Sequence, residues 1–457
     1  LHLNIKTIID CGRSPFLRPI LQRIEASPLG YRLARGAFWS LTGAVIARGL
    51  GLLASIFVAR ILGKEGFGEL GIIQSTFGMF GIFAGFGLGM TATKFIAQYR
   101  TTDPIKAGRI RALSSAFAWV SSSITSMILF FMASWLAEYT LAAPHLSSLL
   151  RIGSIYLLLT AINGAQIGAL SGFEAFKTVA KVSLWSGLAN FPLMVGGVYL
   201  GGLYGAVWGM VIAAGFNWLL NHIAIRDECA KAGVPYTYSG CWHEKSILWK
   251  FSLPALISGI FFAPTEWVLN ALLVNQPGGY GEMGLFNAAK QWQVIILYLP
   301  SMLSATTLPM LSNLMGENKK SQYNKMLVFN SIFMTGIAFV VAVPVSILSR
   351  SIMSAYGEGF SQGWPILAVT SVYSVMWASN IVIGQAIWTS DAAREAMAFA
   401  ALRSIILISS AWFLLKYGAL GLSLAFLVTY TLQTIYLIPY IKYKTENYFS
   451  SVGTLNA

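Results

Sequence analysis

Three ionisable side chains stand deep in apolar stretches of this 457-residue chain: Arg48, Glu266 and Lys290. A charge at such depth is costly unless it pairs or faces water, so each either neutralises a partner or lines a wet path. Arg48 stands about 12 residues from either end of its run, and at about 1.5 Å per residue it is too deep to snorkel easily to either boundary. Its guanidinium suits bidentate contact with phosphate. No acid within an apolar run of the same half matches its depth. Glu266 and Lys290 lie on consecutive runs that would form a hairpin, at similar depth. Two readings stand open. The pair neutralises itself, or Lys290 joins Arg48 as an anion ligand, with Glu266 as charge partner or ion-coupling site.

Amide side chains keep these charges company. Gln74, Asn163, Gln166, Asn270, Asn287, Gln291, Asn380 and Gln385 all fall within apolar runs. Asn163 and Gln166 are one turn apart, and Asn287 and Gln291 bracket Lys290 at helical spacing. Singly, each is as readily a helix–helix hydrogen bond as a ligand. Together they predict a polar cavity lining suited to sugars. Pro254 and Pro264 interrupt the run that carries Glu266, as a gate or as ordinary kinks.

The elements that must hold these residues are membrane-spanning helices. The chain is 56% hydrophobic and only 11% charged, where soluble domains carry roughly 25% charged residues. Residues 327–349 hold no charge at all, and about 20 apolar residues suffice to cross a bilayer as a helix. The reading is an all-α polytopic membrane protein with twelve transmembrane helices in two six-helix lobes around a central cavity. The expected spans are 37–59, 68–90, 113–136, 149–171, 180–200, 203–225, 247–273, 284–309, 327–349, 365–388, 396–415 and 418–440. They divide the chain into a basic N-terminal segment (1–36), an N-terminal lobe (37–226), a linker (227–246), a C-terminal lobe (247–443) and a tail (444–457). The first segment lacks the continuous apolar core of a cleaved signal.

The formal net charge of +14 is topology rather than nucleic-acid binding. With the N-terminus in the cytoplasm, 24 of the 31 Lys and Arg residues fall on the cytoplasmic side and five on the other. That asymmetry places both termini in the cytoplasm. Cys11, Cys229 and Cys241 then face the reducing side, so no disulfide is expected. The four histidines are scattered; no metal and no cofactor are expected. The outer loops, about a dozen residues at most, leave no room for a catalytic loop, and no nucleotide-binding glycine loop occurs. The chain reads as a non-enzyme driven by a gradient.

The chain also repeats itself. "GFGELGI" at 66–72 recurs as "GYGEMGL" at 279–285, and the register holds downstream, with "MTATKFIAQY" (90–99) over "LSATTLPMLS" (303–312). Two copies of an even-spanning unit make a parallel repeat about an axis along the membrane normal. The heptapeptide is expected in the first outer loop of each half, where its glycines serve turning and close approach, and Glu69 and Glu282 bond the turn or cap a helix.

These residues carry a resemblance. "ARILGKEGFGELGI" (59–72), "GFGLGMTATKFIAQY" (85–99), "ALSGFEAFKTVAK" (169–181), "NFPLMVGGVYLGGLYGAVWG" (190–209) and "LPSMLSATTLPMLS" (299–312) resemble the polysaccharide biosynthesis (Wzx-type) flippases of the multidrug/oligosaccharidyl-lipid/polysaccharide exporter superfamily. The resemblance covers about 34–440. It implies two six-helix lobes and movement of undecaprenyl-pyrophosphate-linked oligosaccharide between leaflets, coupled to a proton or sodium gradient. It implies as partners the lipid-linked substrate, the bilayer, and a polysaccharide polymerase and chain-length regulator. Cationic cavity residues would meet the pyrophosphate or acidic sugars, a role that Arg48 and Lys290 fit here. The rival reading is a cation-coupled multidrug exporter of the same superfamily, which would favour acids in the cavity.

Overall fold

The structure, a computed structural model, describes residues 28–304, 307–389 and 393–455. Most of the basic segment 1–36, with Cys11, and the last residues of the tail lie outside them. Every regular element among the described residues is helical, as lipid demands of a chain whose backbone must satisfy its own hydrogen bonds. Among the described residues, seven apolar stretches are long enough to cross a membrane: Val45–Gly85, Pro104–Thr140, Pro144–Gly172, Phe176–Lys231, Lys320–Ile347, Ser361–Ile387 and Glu395–Phe449.

Helix α1 (Pro28–Gly85) is 58 residues long, far more than one crossing requires. Gly63 divides it, with φ 71° and ψ 178°, a conformation open to glycine and strained for other residues. α2 (Leu88–Tyr99) follows a left-handed turn at Phe86 and Gly87. α3 (Pro104–Trp135) is capped by Asp103, which accepts from the Lys106 backbone N–H at 3.0 Å. α4 (Ser147–Gly172) leads to α5 (Phe176–Lys231), again too long for one crossing and broken at Gly201 and Gly202. Both breaks fall between expected spans.

The expected span 247–273 is interrupted. α6 (Leu253–Ile260) and α7 (Ala263–Val274) meet at Phe261 and Phe262, with Pro264 opening the second. Proline removes a backbone donor and clashes with the preceding turn. The Phe261 carbonyl instead accepts from Ser404 Oγ at 2.8 Å, Arg403 Nη2 at 3.0 Å and Thr265 Oγ1 at 3.0 Å. Then come α8 (Gly279–Ser304), α9 (Thr307–Gly316), α10 (Lys320–Ile347), α11 (Ser349–Ser354), α12 (Trp364–Thr389), α13 (Ala393–Leu414) and α14 (Gly418–Leu455).

The repeated heptapeptides are helical rather than loop. The first follows Gly63 inside α1 and the second opens α8. They pack directly on each other. A methyl group added at Gly68 would sit 1.8 Å from the Tyr280 carbonyl oxygen, and one at Gly284 would sit 1.9 Å from that of Lys64. Only hydrogen-sized side chains allow this approach. Around the seam Phe67, Leu285, Tyr356 and Phe360 are buried in one apolar cluster. The repeated glutamates differ. Glu282 accepts the Ala419 backbone N–H at 2.8 Å at the start of α14, whereas Glu69 meets His145 Nε2 at 2.6 Å.

Candidate functional site

A cavity of about 1200 Å³ follows the second leg of α1 from Phe67 through Gln74, Gly78 and Ile82 to Gly85. It closes at the heptapeptide seam, where Phe67 is buried. Its other walls come from the first leg of α1, from α2, α4 and α5, and from α6 and α8. The small residues Gly78, Gly81 and Gly164 keep its walls low, so the space follows from the glycine content of these helices.

Arg48 lines this cavity and is its one charged residue among the described residues. The guanidinium carbon lies 4.7 Å over the Tyr298 ring of α8. No carboxylate pairs with it among the described residues. The ring face holds the cation in place without neutralising it. Gln74, Asn163 and Gln291 line the same space. Gln74 Nε2 reaches Met210 Sδ at 3.8 Å, and Asn163 Nδ2 donates to the Ala214 carbonyl at 3.1 Å.

The other expected residues are placed elsewhere. Lys290 Nζ meets Glu266 Oε2 at 2.7 Å, with the side chains 27% and 17% exposed, and neither lines the cavity. Lys290 is therefore a paired cation, unlike Arg48. Asn270 Nδ2 donates to Ser75 Oγ at 2.8 Å, and Asn287 Nδ2 to the Phe67 carbonyl at 3.5 Å. Both tie the second half to α1. Asn380 donates to the Tyr430 carbonyl at 3.1 Å, and Gln385 to that of Ser304 at 2.9 Å. These four amides serve helix–helix contacts and are absent from the cavity wall. Gln166 parts from Asn163 and faces a second, smaller pocket. Three residues advance a helix by about 300°, so the two side chains diverge by about 60°.

Sequence reasoning missed several residues. Tyr298 extends the stripe of Gln291, Val294 and Ile295 along α8, and that spacing would have found it. Ser183, Ser186 and Asn190 form a similar stripe on α5 and line the cavity, as do Thr160 and Asn217. Arg403 of α13 is 6% exposed and packs 4.6 Å over the Phe262 ring at the α6–α7 break. Nothing in the local sequence of α13 signals that partner.

Comparison with known proteins agrees with this architecture. The "Polysaccharide biosynthesis protein" family matches residues 33–315. The EPS I polysaccharide export inner membrane protein EpsE of Ralstonia nicotianae is 21% identical over 401 residues, covering 85% of this chain and 89% of that protein. The lipid III flippase of Escherichia coli is 21% identical over 405 residues, covering 87% and 95%. Among solved structures, the inward-facing conformation of a multidrug resistance MATE family transporter of the MOP superfamily superposes with a TM-score of 0.74 at 14% identity, covering 90% of this chain and 98% of that one.

Proposed function

We propose that this chain, which belongs to the polysaccharide biosynthesis protein family, is a flippase. It moves polyprenyl-pyrophosphate-linked oligosaccharide units from the cytoplasmic to the outer leaflet for surface polysaccharide assembly. The observation that carries the reading is the cavity itself: large, with amides and hydroxyls in its wall and, among the described residues, an arginine without a carboxylate partner as its one charge. A pyrophosphate is the complement of such a site, because a guanidinium without a carboxylate partner can hold it through two parallel N–H···O bonds. The sugars occupy the amide-lined space and the polyprenyl chain stays in lipid.

The mechanism proposed is alternating access between two six-helix lobes, 37–226 and 247–443, joined by the linker 227–246, with twelve crossings and both termini in the cytoplasm. The breaks at Gly63 and at Gly201–Gly202, and the 3₁₀ turn Leu415–Tyr417 before α14, turn the seven apolar stretches into ten crossings, and α6–α7 with α8 supply the two more that support twelve. In this arrangement the heptapeptide seam is the outer seal. The Glu266–Lys290 pair is the candidate for ion coupling: proton or sodium capture by the carboxylate would free Lys290 to act as a second anion ligand. A polysaccharide polymerase and chain-length regulator would take the product.

The fold likeness to a multidrug transporter favours a second reading, export of small cations. The cavity opposes it, since no acid lines its wall among the described residues.

The test is to delete the gene and locate lipid-linked sugar units in each leaflet, complementing with wild type, Arg48→Ala and Arg48→Lys. Inner-leaflet accumulation with loss of surface polymer, rescued by wild type and not by Arg48→Ala, supports the flippase and the anion site together. Full rescue by Arg48→Ala removes the anion site. Normal polymer in the deletion, in a strain lacking a second flippase, overturns the function.

A further inference from the structure

The second pocket, about 70 Å³, lies outside the cavity, among α3, α4, α5 and the linker. Arg111 of α3 is 3% exposed. It stands seven residues into the helix, about 10 Å from its start. Its Nη2 donates to the Thr237 carbonyl at 3.1 Å, and its guanidinium lies 4.1 Å over the Tyr236 ring and 5.1 Å from that of Tyr238. Nε has no partner, and no carboxylate pairs with the side chain among the described residues. A buried cation without a counter-charge is strongly unfavourable, and two ring faces and one carbonyl do not cancel it.

The same pocket holds a second unmet group. Gln166 lines it, is 7% exposed, and its Oε1 has no partner. The amide can present its NH₂ instead by a half-turn. Ser115 and Tyr238 contribute hydroxyls, and His222 contributes an imidazole whose Nδ1 lies 3.4 Å from Tyr236 Oη. The donors converge on a space too small for a sugar unit and sized for one tetrahedral anion. Trp119 and Trp218 line it with their rings edge to face at 6.5 Å, and Trp119 is 40% exposed. Tryptophan with an apolar face in lipid and a polar neighbour is the usual furniture of a membrane interface.

We propose that this pocket binds a phosphate group, supplied by an anionic phospholipid whose headgroup enters beside the exposed Trp119. The phosphate would neutralise Arg111 and accept from Gln166. Because Tyr236, Thr237 and Tyr238 belong to the linker between the two halves, the bound lipid would also fasten that linker to α3. The inference is independent of the substrate: it requires the membrane, not the flipping of sugars.

The experiment uses the full-length protein, purified and delipidated in detergent, with thermal unfolding and native mass spectrometry as readouts. The probes are dioleoylphosphatidylglycerol, phosphate-free dioleoylglycerol and inorganic phosphate. Wild type should show saturable stabilisation and a retained adduct with phosphatidylglycerol, and neither with dioleoylglycerol. Arg111→Gln should weaken the apparent affinity at least tenfold. Gln166→Leu keeps the cation, fills the pocket and should weaken it similarly, which guards against a misfolded arginine variant. Equal protection by inorganic phosphate, lost in both variants, would uphold the phosphate site and remove the lipid as its source. Equal protection by dioleoylglycerol, or a phosphatidylglycerol effect unchanged in both variants, overturns the proposal.

Discussion

Gly68→Ala should pry open the seam between the two heptapeptides. The new methyl would start 1.8 Å from the Tyr280 carbonyl oxygen and 2.9 Å from the Gly284 nitrogen, whereas ordinary contact begins at 3.4 Å. Both obstacles are helix backbone, so a side-chain rotation cannot absorb the clash. The second leg of α1 and α8 must separate by about 1.6 Å along this line. A gap of about 0.5–1 Å already forfeits a quarter to a half of the attraction between facing atoms. The separation also strains the bond across the seam from Asn287 Nδ2 to the Phe67 carbonyl at 3.5 Å. Overpacking of this kind costs about 1–3 kcal/mol. A conformation in which the two helices stand apart bears none of that cost. The sealed state should therefore lose about 5–150-fold in relative population.

The readout is an Asn287→Cys reporter in a background with Cys11, Cys229 and Cys241 replaced. Asn287 is buried beside Gly71 at the seam. Labelling by a membrane-impermeant maleimide from outside should accelerate by that factor in Gly68→Ala and similarly in Gly284→Ala. Gly336→Ala, where a methyl meets nothing within 4 Å, is the control and should label as wild type does. Unchanged labelling in both seam variants, with normal transport, would refute the claim that this contact opens.

Tyr298→Leu removes the ring beneath Arg48 and should reduce transport while leaving the unfolding temperature nearly unchanged; a large drop in unfolding temperature would make Tyr298 a packing residue instead. Glu266→Gln strands Lys290 and should destabilise by about 1–3 kcal/mol, with stability regained in the Glu266→Gln, Lys290→Met double variant; full transport in that stable double variant would exclude the pair from ion coupling. Glu282→Ala should cost about 0.5–2 kcal/mol, because the carboxylate caps the start of α14. Glu69→Ala should cost less than about 1 kcal/mol, since its partner His145 is 61% exposed. Equal losses in these two variants, read by thermal unfolding, would contradict the difference between the repeats.

The helical membrane class was legible because it rests on composition and run length, which lipid enforces locally. Gly63 and Gly201–Gly202 were legible as short turns because glycine announces them. The α6–α7 break was half legible. Pro254 and Pro264 marked the stretch, but the site of the break depends on Arg403 and Ser404, more than 130 residues away, which supply the missing donors. Cavity membership was the least legible. Asn163 and Gln166 look alike in sequence, yet 60° of helical rotation sends them to different spaces. The expected hairpin offered Glu266 to Lys290 and no acid to Arg48, yet it left open whether the pair closes; the folded contact decides that, with a carboxylate at 2.7 Å from Lys290 and a tyrosine face beneath Arg48.

The repeat itself separates scaffold from chemistry. Where the two copies agree, at Gly68 and Gly281 or Gly71 and Gly284, the residues face the opposite copy, as a duplicated contact about a common axis requires. The charges do not repeat. At the same offset of 213, Arg48 corresponds to Phe261, Glu266 to Leu53 and Lys290 to Phe77. A deep charge kept in one copy and replaced by an apolar residue in the other is no part of the duplicated contact that both copies share. Phe261 stands at the break of the second copy, and Phe77 packs against Gly153 and Tyr156 in the wall of the cavity. Arg48 is thus free of the structural duties its counterpart carries, and it is the charge that faces the cavity without a partner. The pair Glu266–Lys290 is likewise confined to one copy but is neutral as a unit. If the two halves move against each other, a neutral pair can travel with its lobe at little electrostatic cost, whereas an unpaired arginine crosses only when an anion accompanies it. That difference predicts a transport cycle in which the empty protein returns slowly unless Arg48 is neutralised, so Arg48→Gln should speed the return step, read as labelling kinetics at the seam, while abolishing delivery of the lipid-linked unit; a return step that Arg48→Gln leaves unchanged would refute the coupling of this charge to the motion.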